Sequence, residues 1–139
     1  MATAFDKQVT AWARKSELRL TQTYRQSVQD LVEEAQEPRG SGGNMPVDTG
    51  FLRSSGDAAL DRLPVVPSEP TEGAAPVWDA QSALLTIAQA QLGQTVYFGW
   101  GAKYSTFMEE RYGFVRLAAQ RWPQIVNAAA RKLEQRVRR

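Results

Sequence analysis

The chain has no cysteine and no histidine. Without thiols there is no disulfide framework and no cysteine nucleophile. Without imidazoles it lacks the side chain that most often serves as a general base near neutral pH, and the commonest metal ligand. No run approaches the roughly 18 apolar residues that a membrane-spanning helix needs. The start, Met1-Ala2-Thr3-Ala4-Phe5-Asp6, has no basic stretch followed by an apolar one, so a secretory signal is not expected and synthesis in a cytoplasm is. The net charge of +2 is too small an excess to imply nucleic acid by itself.

The distribution of charge says more than its sum. Residues 1–53 carry seven basic and seven acidic groups, residues 54–110 two and seven, and residues 111–139 eight and one. A chain polarised in this way can bring opposite charges together within itself, or between copies set head to tail. At 139 residues it is long enough for one domain with a real core.

Residues 4–36 read as one long amphipathic helix. Phe5, Val9, Trp12, Ser16, Leu20, Tyr24, Val28, Leu31, Val32 and Ala35 recur in steps of three and four and form a single stripe. Thr3 suits an N-cap, and Pro38 with Gly40 a stop. Trp12 and Tyr24 read as core aromatics. The helix would be about 50 Å long at 1.5 Å per residue, long for so small a domain, so packing of part of the stripe on another copy stands as the alternative.

Residues 37–47 are Gly-rich and read as a flexible loop. A phosphate cradle is not indicated, because no Lys-Ser/Thr follows and no strand precedes. Residues 54–63 favour a first strand. Residues 64–76 hold Pro64, Pro67, Pro70 and Pro76, which rules out a central strand or a helix and leaves an extended arm, either docked or solvated. Residues 77–90 alternate in a way that suits a second strand, covered on both faces. Thr95–Trp100 is the best strand in the chain, β-branched and aromatic throughout.

Residues 102–110 read as a short helix, 111–114 as a turn, and 115–138 as a closing helix, kinked or begun at Pro123. The expected fold is α+β, one domain over residues 1–139. A long N-terminal helix precedes a small antiparallel sheet of three to four strands, with the short and C-terminal helices packed on it.

No catalytic constellation emerges. Asp57 and Asp61 share an edge in the expected strand and lack a third ligand. Glu109 and Glu110 are adjacent, so they leave a helix on different faces. No serine has a histidine to activate it. No carboxylate-rich loop of the calcium type occurs. Phosphate contact through Arg131, Lys132, Arg136, Arg138 and Arg139 is the alternative to a structural role, but no base-reading motif accompanies these residues.

One stretch is more specific than a turn between helix and sheet. Pro46, Asp48, Thr49, Gly50, Leu52, Arg53 and Ser54 form a Pro-x-Asp-Thr-Gly-x-Leu-Arg-Ser sequence after an amphipathic helix. This resembles the signature of the tail-completion (head–tail joining, or neck) proteins of long-tailed bacteriophages and related gene transfer particles. Downstream, Tyr97 and Gly99 lie in an aromatic strand. Tyr104, Met108 and Glu109 follow in a Tyr-x-x-x-hydrophobic-Glu helix, and Tyr112-Gly113-Phe114 in a Gly-aromatic turn. Trp122-Pro123-Gln124-Ile125-Val126 and an Ala-rich basic helix are also similar to members of that family.

The resemblance implies a non-enzymatic virion protein without metal or cofactor, made in the host cytoplasm and placed in the neck. It implies a homo-hexameric ring between the tail tube or tail terminator and the head-completion protein, with DNA at most passing through and no membrane partner. Other connector rings, head-closure or tail-terminator, are the near alternatives. Within such a ring two contacts and one structural role are expected. The acidic middle of one subunit faces the basic helix of the next, with Arg131, Lys132 and Arg136 at the interface. The loops at 37–47 and 64–76 meet neighbouring rings. Asp48, Thr49, Leu52 and Arg53 fix the corner from which the first loop projects.

Overall fold

The computed structural model describes residues 3–137. The first element, α1 (Ala4–Gln36), carries a capping box: the Asp6 N–H donates to Thr3 Oγ1 at 3.2 Å and the Thr3 N–H donates to Asp6 Oδ2 at 3.1 Å. Two of the N–H groups that every helix start leaves unpaired are thereby satisfied. After a 3₁₀ turn (Arg39–Ser41) come α2 (Phe51–Ser54), β1 (Gly56–Leu60), α3 (Ala80–Ala88), β2 (Val96–Trp100), α4 (Ser105–Tyr112), α5 (Phe114–Gln120) and α6 (Trp122–Val137).

The protein is thus mixed helix and sheet with a long N-terminal helix, but among the described residues the sheet has two strands rather than three or four. β1 and β2 are antiparallel, from Gly56 opposite Trp100 to Leu60 opposite Val96. The stretch expected as a middle strand is α3. Asp79 caps it, accepting from the Ser82 N–H at 3.0 Å, and the buried pair Ala83 and Ile87 stands at helical spacing. A short run that is apolar at most positions satisfies either period, and here the cap and the Ala/Leu content favour helix. The first strand is also shorter than the expected 54–63: Ser54 ends α2, and Asp61 closes β1 with φ 58°.

The C-terminal region divides twice. Gly113, at φ 65°, ends α4 and begins α5, where a turn had been expected over 111–114. Pro123 is the second residue of α6, a first-turn position where its missing N–H costs no helical bond, and α5 stops ahead of it. α6 packs along α1 and α5 also meets α1, while α3 lies against β1. The cover of the sheet therefore differs from the expected one: α1 and α3 supply it, with Val28 and Val32 of α1, Ala58 of β1, and Ala83 and Ile87 of α3 in one core.

α1 is anchored from its middle onward. The Tyr24 hydroxyl donates to the Gln94 carbonyl at 2.8 Å and Arg25 Nε to the Ala90 carbonyl at 2.6 Å. Ahead of that point the helix carries its apolar residues into solvent: Phe5 is 70% and Trp12 69% exposed. Trp12 is therefore not the core aromatic its place on the stripe suggested, whereas Tyr24 is half-buried. Among the described residues no helix is long and apolar enough to cross a membrane.

Two close approaches decide local identity. A Cβ on Gly56 would stand 2.8 Å from Phe98 Cε1 and 2.9 Å from Gln36 Nε2. One on Gly101 would stand 2.1 Å from the Pro67 carbonyl oxygen, so the proline-rich segment runs directly against the end of β2. Gly56→Ala should destabilise the fold by about 1–3 kcal/mol, the usual range for overpacking a tight site, read as a lowered midpoint in urea with an unchanged slope. The Thr3 backbone and side-chain bonds hold the Asp6 carboxyl below its usual range. A depressed folded value means that this cap stabilises above the ordinary carboxylate range and is lost as pH falls through the lowered value. NMR shifts of residues 4–8 should accordingly move toward coil in strong acid before the core signals change.

Candidate assembly site

The Pro46–Ser54 corner is built around the C-terminal end of α1. Gln36 is fully buried and joins three elements. Its Nε2 donates to the Arg53 carbonyl at 2.8 Å, its Oε1 accepts from the Trp100 indole N–H at 2.8 Å, and its own carbonyl accepts from Arg53 Nε at 2.8 Å. A carbonyl in the last turn of a helix has no intrahelical partner, and Arg53 supplies one. The guanidinium also lies 5.1 Å from the centre of the Trp78 ring, within cation–π range.

The other residues of the corner divide into anchors and a tip. Phe51 and Leu52 are buried and share a second core with Met45, Ala102 and Phe114, against which Trp100 and Met108 pack. Gly50 adopts φ 89° ahead of α2. The Thr49 hydroxyl accepts from the Phe51 N–H at 3.3 Å and the Ser54 hydroxyl donates to the Phe51 carbonyl at 3.0 Å. Pro46 is half-buried, while Asp48 and Thr49 are exposed at the tip. Arg53 and Leu52 thus hold the corner, and Asp48 stands at its exposed tip.

Both loops are tied down. The Gly-rich loop closes through Met45 N–H to the Glu37 carbonyl and Arg39 N–H to the Met45 carbonyl, each 3.0 Å. Arg39 also stacks 4.5 Å over the Tyr112 ring. The proline-rich segment passes Gly99 through Pro64, Gly101 through Pro67 and Gly50 through Pro76, and Glu69 pairs with Lys103.

The second motif supports the junction of α4 and α5. Glu109 accepts from the Val115 N–H at 2.7 Å and the Arg116 N–H at 2.9 Å, so its carboxylate caps α5 across Gly113 and complements the positive end of that helix. Met108 reaches the core. Tyr97 and Tyr104 are each 40% exposed. Tyr97 shares an outer sheet face with Gly99, to judge by their spacing.

Of the other carboxylates weighed for chemistry, Glu110 is exposed on α4, while Asp57 and Asp61 are in backbone contacts. Asp57 accepts from the Ala58 N–H at 2.8 Å, and Asp61 accepts from the Thr95 N–H at 2.8 Å and Gln94 Nε2 at 3.1 Å. Among the described residues no group of three or more His, Cys, Asp or Glu could hold a metal ion.

The basic helix is partly engaged within its own chain. Lys132 Nζ is 3.7 Å from Asp30, and Arg121 pairs with Glu34. The acidic partners are on α1, not in the acidic middle. Arg131 and Arg136 are exposed on α6, and Arg138 and Arg139 lie outside the described residues. The chain matches no protein-family model, no curated protein and no solved structure.

Gln36, Trp78 and Gly56 were not singled out in the sequence. One signal was available for the first: a buried indole needs an acceptor, and Trp100 finds its acceptor 64 residues away. Gln36→Leu should cost about 2–6 kcal/mol, because the Trp100 N–H and the Arg53 carbonyl are both orphaned at about 1–3 kcal/mol each. Glu109→Ala should cost about 1 kcal/mol, the usual loss for a helix cap. Chemical denaturation of the two variants checks both the order and the sizes.

Proposed function

We propose that the chain is a structural subunit of the neck of a long-tailed bacteriophage or gene transfer particle, a tail-completion protein that forms a ring joining the tail tube to the head-completion assembly. The observation that carries this reading is the meeting of the two motif stretches. Phe51 and Leu52 of the corner pack with Trp100, Met108 and Phe114 of the second motif, while Arg53 and Glu109 secure the adjacent helix ends. The residues behind the family resemblance thus act together as a frame that leaves Asp48 and Thr49 exposed to a docking partner.

The surface supports a subunit rather than a catalyst. Asp57, Asp61 and Glu109 serve as caps and turn closures, and the exposed groups include the apolar half of α1, the Asp48 tip and the cations of α6. In this reading the protein works as a homo-hexamer. One face meets the tail tube or tail terminator and the other the head-completion protein, and DNA passes through the ring. Exposed Arg131 and Arg136 remain for a neighbouring acidic surface, and Lys132 divides its charge with Asp30 of its own chain.

Light scattering over a concentration series, alone and then with purified tail tubes or head-completion protein, tests the reading. A mass near six subunits, or a monomer that joins stably only to tube ends, is the expected result. A chain indifferent to both partners would reject it, and a steeply salt-dependent affinity for DNA would replace it with the nucleic-acid reading. Arg131→Glu with Arg136→Glu should weaken assembly while shifting monomer stability by no more than about 0.5 kcal/mol, as expected for exposed positions. Unchanged assembly removes α6 from the interface.

A further inference from the structure

We infer that the exposed N-terminal half of α1 docks into an apolar cleft on a second copy of the chain, making a head-to-tail contact. The inference supplies the contact that the ring reading needs, and its test is independent of any phage component.

The inserting surface is the first part of the stripe. Phe5, Val9 and Trp12 are 70%, 47% and 69% exposed, and Leu20 is 60% exposed. They project from a helix whose tip is held by its own capping box. The receiving surface is a cleft of about 420 Å³ between the second half of α1, β2 and α5. Leu31, Val96, Phe98, Val115, Ala119 and Trp122 contribute to its lining, which is mostly apolar.

Three features select a second copy as the occupant. The first is connectivity. One continuous helix carries the stripe and also forms a wall of the cleft, from Tyr24 to Ala35. A helix cannot fold back on itself, so the stripe cannot fill the cleft of its own chain. The second is length. The wall from Tyr24 to Ala35 rises about 16 Å, enough for Phe5, Val9 and Trp12, which span about 10 Å, while Leu20, about 22 Å from Phe5, falls at its rim.

The third is charge. On a helical wheel the stripe is flanked by Lys15 and Arg19 on one side and by Asp6 and Glu17 on the other. The cleft has an acid beside its β2 lip, where Asp61 holds Gln94 and Thr95. Its α5 lip carries both signs, Arg116 next to Val115 and the Glu109 carboxylate on the Val115 and Arg116 N–H groups. Charge therefore selects the orientation through the β2 lip, where the Lys15 and Arg19 edge of the stripe meets Asp61. A buried Phe or Trp removes roughly 150–250 Å² from water. With Val9 and Leu20, at the exposures given above, the stripe would remove roughly 500 Å² from water, less than the about 800 Å² a side of a standard interface, as suits a contact that forms as concentration rises. Because the two surfaces differ, the contact is heterologous, and it generates a ring when the rotation closes.

The test uses two full-length variants. Phe5→Glu with Trp12→Glu disables the stripe, and Val115→Glu with Ala119→Glu disables the cleft. All four positions are exposed, and circular dichroism confirms the fold of each variant. In sedimentation velocity each variant should remain monomeric at concentrations where the unaltered chain associates. Mixed together they should form a one-to-one dimer and nothing larger, since only one stripe and one cleft remain intact.

A mixture that stays monomeric, variants that associate like the unaltered chain, or an unaltered chain that is monomeric at every concentration would overturn the inference. Stripe variants that self-associate normally but no longer attach to tail-tube ends would assign the stripe to another protein and overturn it too. Complementation by a chain that ignores tube ends would sustain this contact and reject the neck reading. Attachment to tube ends without complementation would do the reverse.

Discussion

The buried amide of Gln36 is the constraint on which the remaining structure depends. Its side chain and its backbone carbonyl make three hydrogen bonds, to β2 through Trp100 and in both directions to Arg53. Each such bond contributes only about 1 kcal/mol net, but losing the amide would leave polar groups dry and unpaired in a region with no room for replacement. Gly56 is small because the amide occupies the adjacent space. Trp100 is oriented by the same bond, and its ring then meets Phe98 and Phe114 edge-on at 4.9 and 5.1 Å. The two cores, one between α1, α3 and the sheet and one beneath the corner, are joined at this point.

The parts of the fold that were legible from sequence are those in which local pattern and tertiary context agree. α1 carries a stripe and a cap, β2 is β-branched and aromatic, and α4 begins three residues after its expected start and extends two beyond its expected end. The parts that were not legible had ambiguous local patterns or were decided by distant residues. The run from Ser82 to Ala88 is apolar at nearly every position, so its period is undetermined until Asp79 is recognised as a cap. The break at Gly113 depends on Glu109 folding back over it. Gln36 lies off the apolar stripe of α1, and its importance follows from a tryptophan far along the chain.

In the candidate site, the Pro46–Ser54 residues lie between the end of α1 and the start of β1, with α2 inside the stretch. Their division into anchors and tip needed coordinates: Arg53 reads as a surface cation, yet its guanidinium serves the end of α1 and the face of Trp78. The basic C-terminal helix shows the opposite effect. Its charge suggests a need for an external partner, but α1 already offers Asp30 and Glu34 to Lys132 and Arg121. Exposed pairs of this kind contribute about 0–1 kcal/mol, so they orient α6 on α1 more than they hold it there. Polarity along a sequence therefore overstated the charge left for other molecules.

The two-stranded sheet also bears on what the protein avoids. A sheet of two strands leaves each strand with one side unpaired, and unpaired backbone invites a strand from another chain. Pro64 lies over the face of β2 at Gly99, where a Cβ would stand 3.5 Å from its Cγ, so the segment covers side-chain surface and not the free edge. The edges are short instead, five residues a strand, and a short edge gives an incoming strand little ladder to extend. A short edge limits pairing through backbone, which would join almost any strand, and leaves recognition to side chains, whose fit is selective.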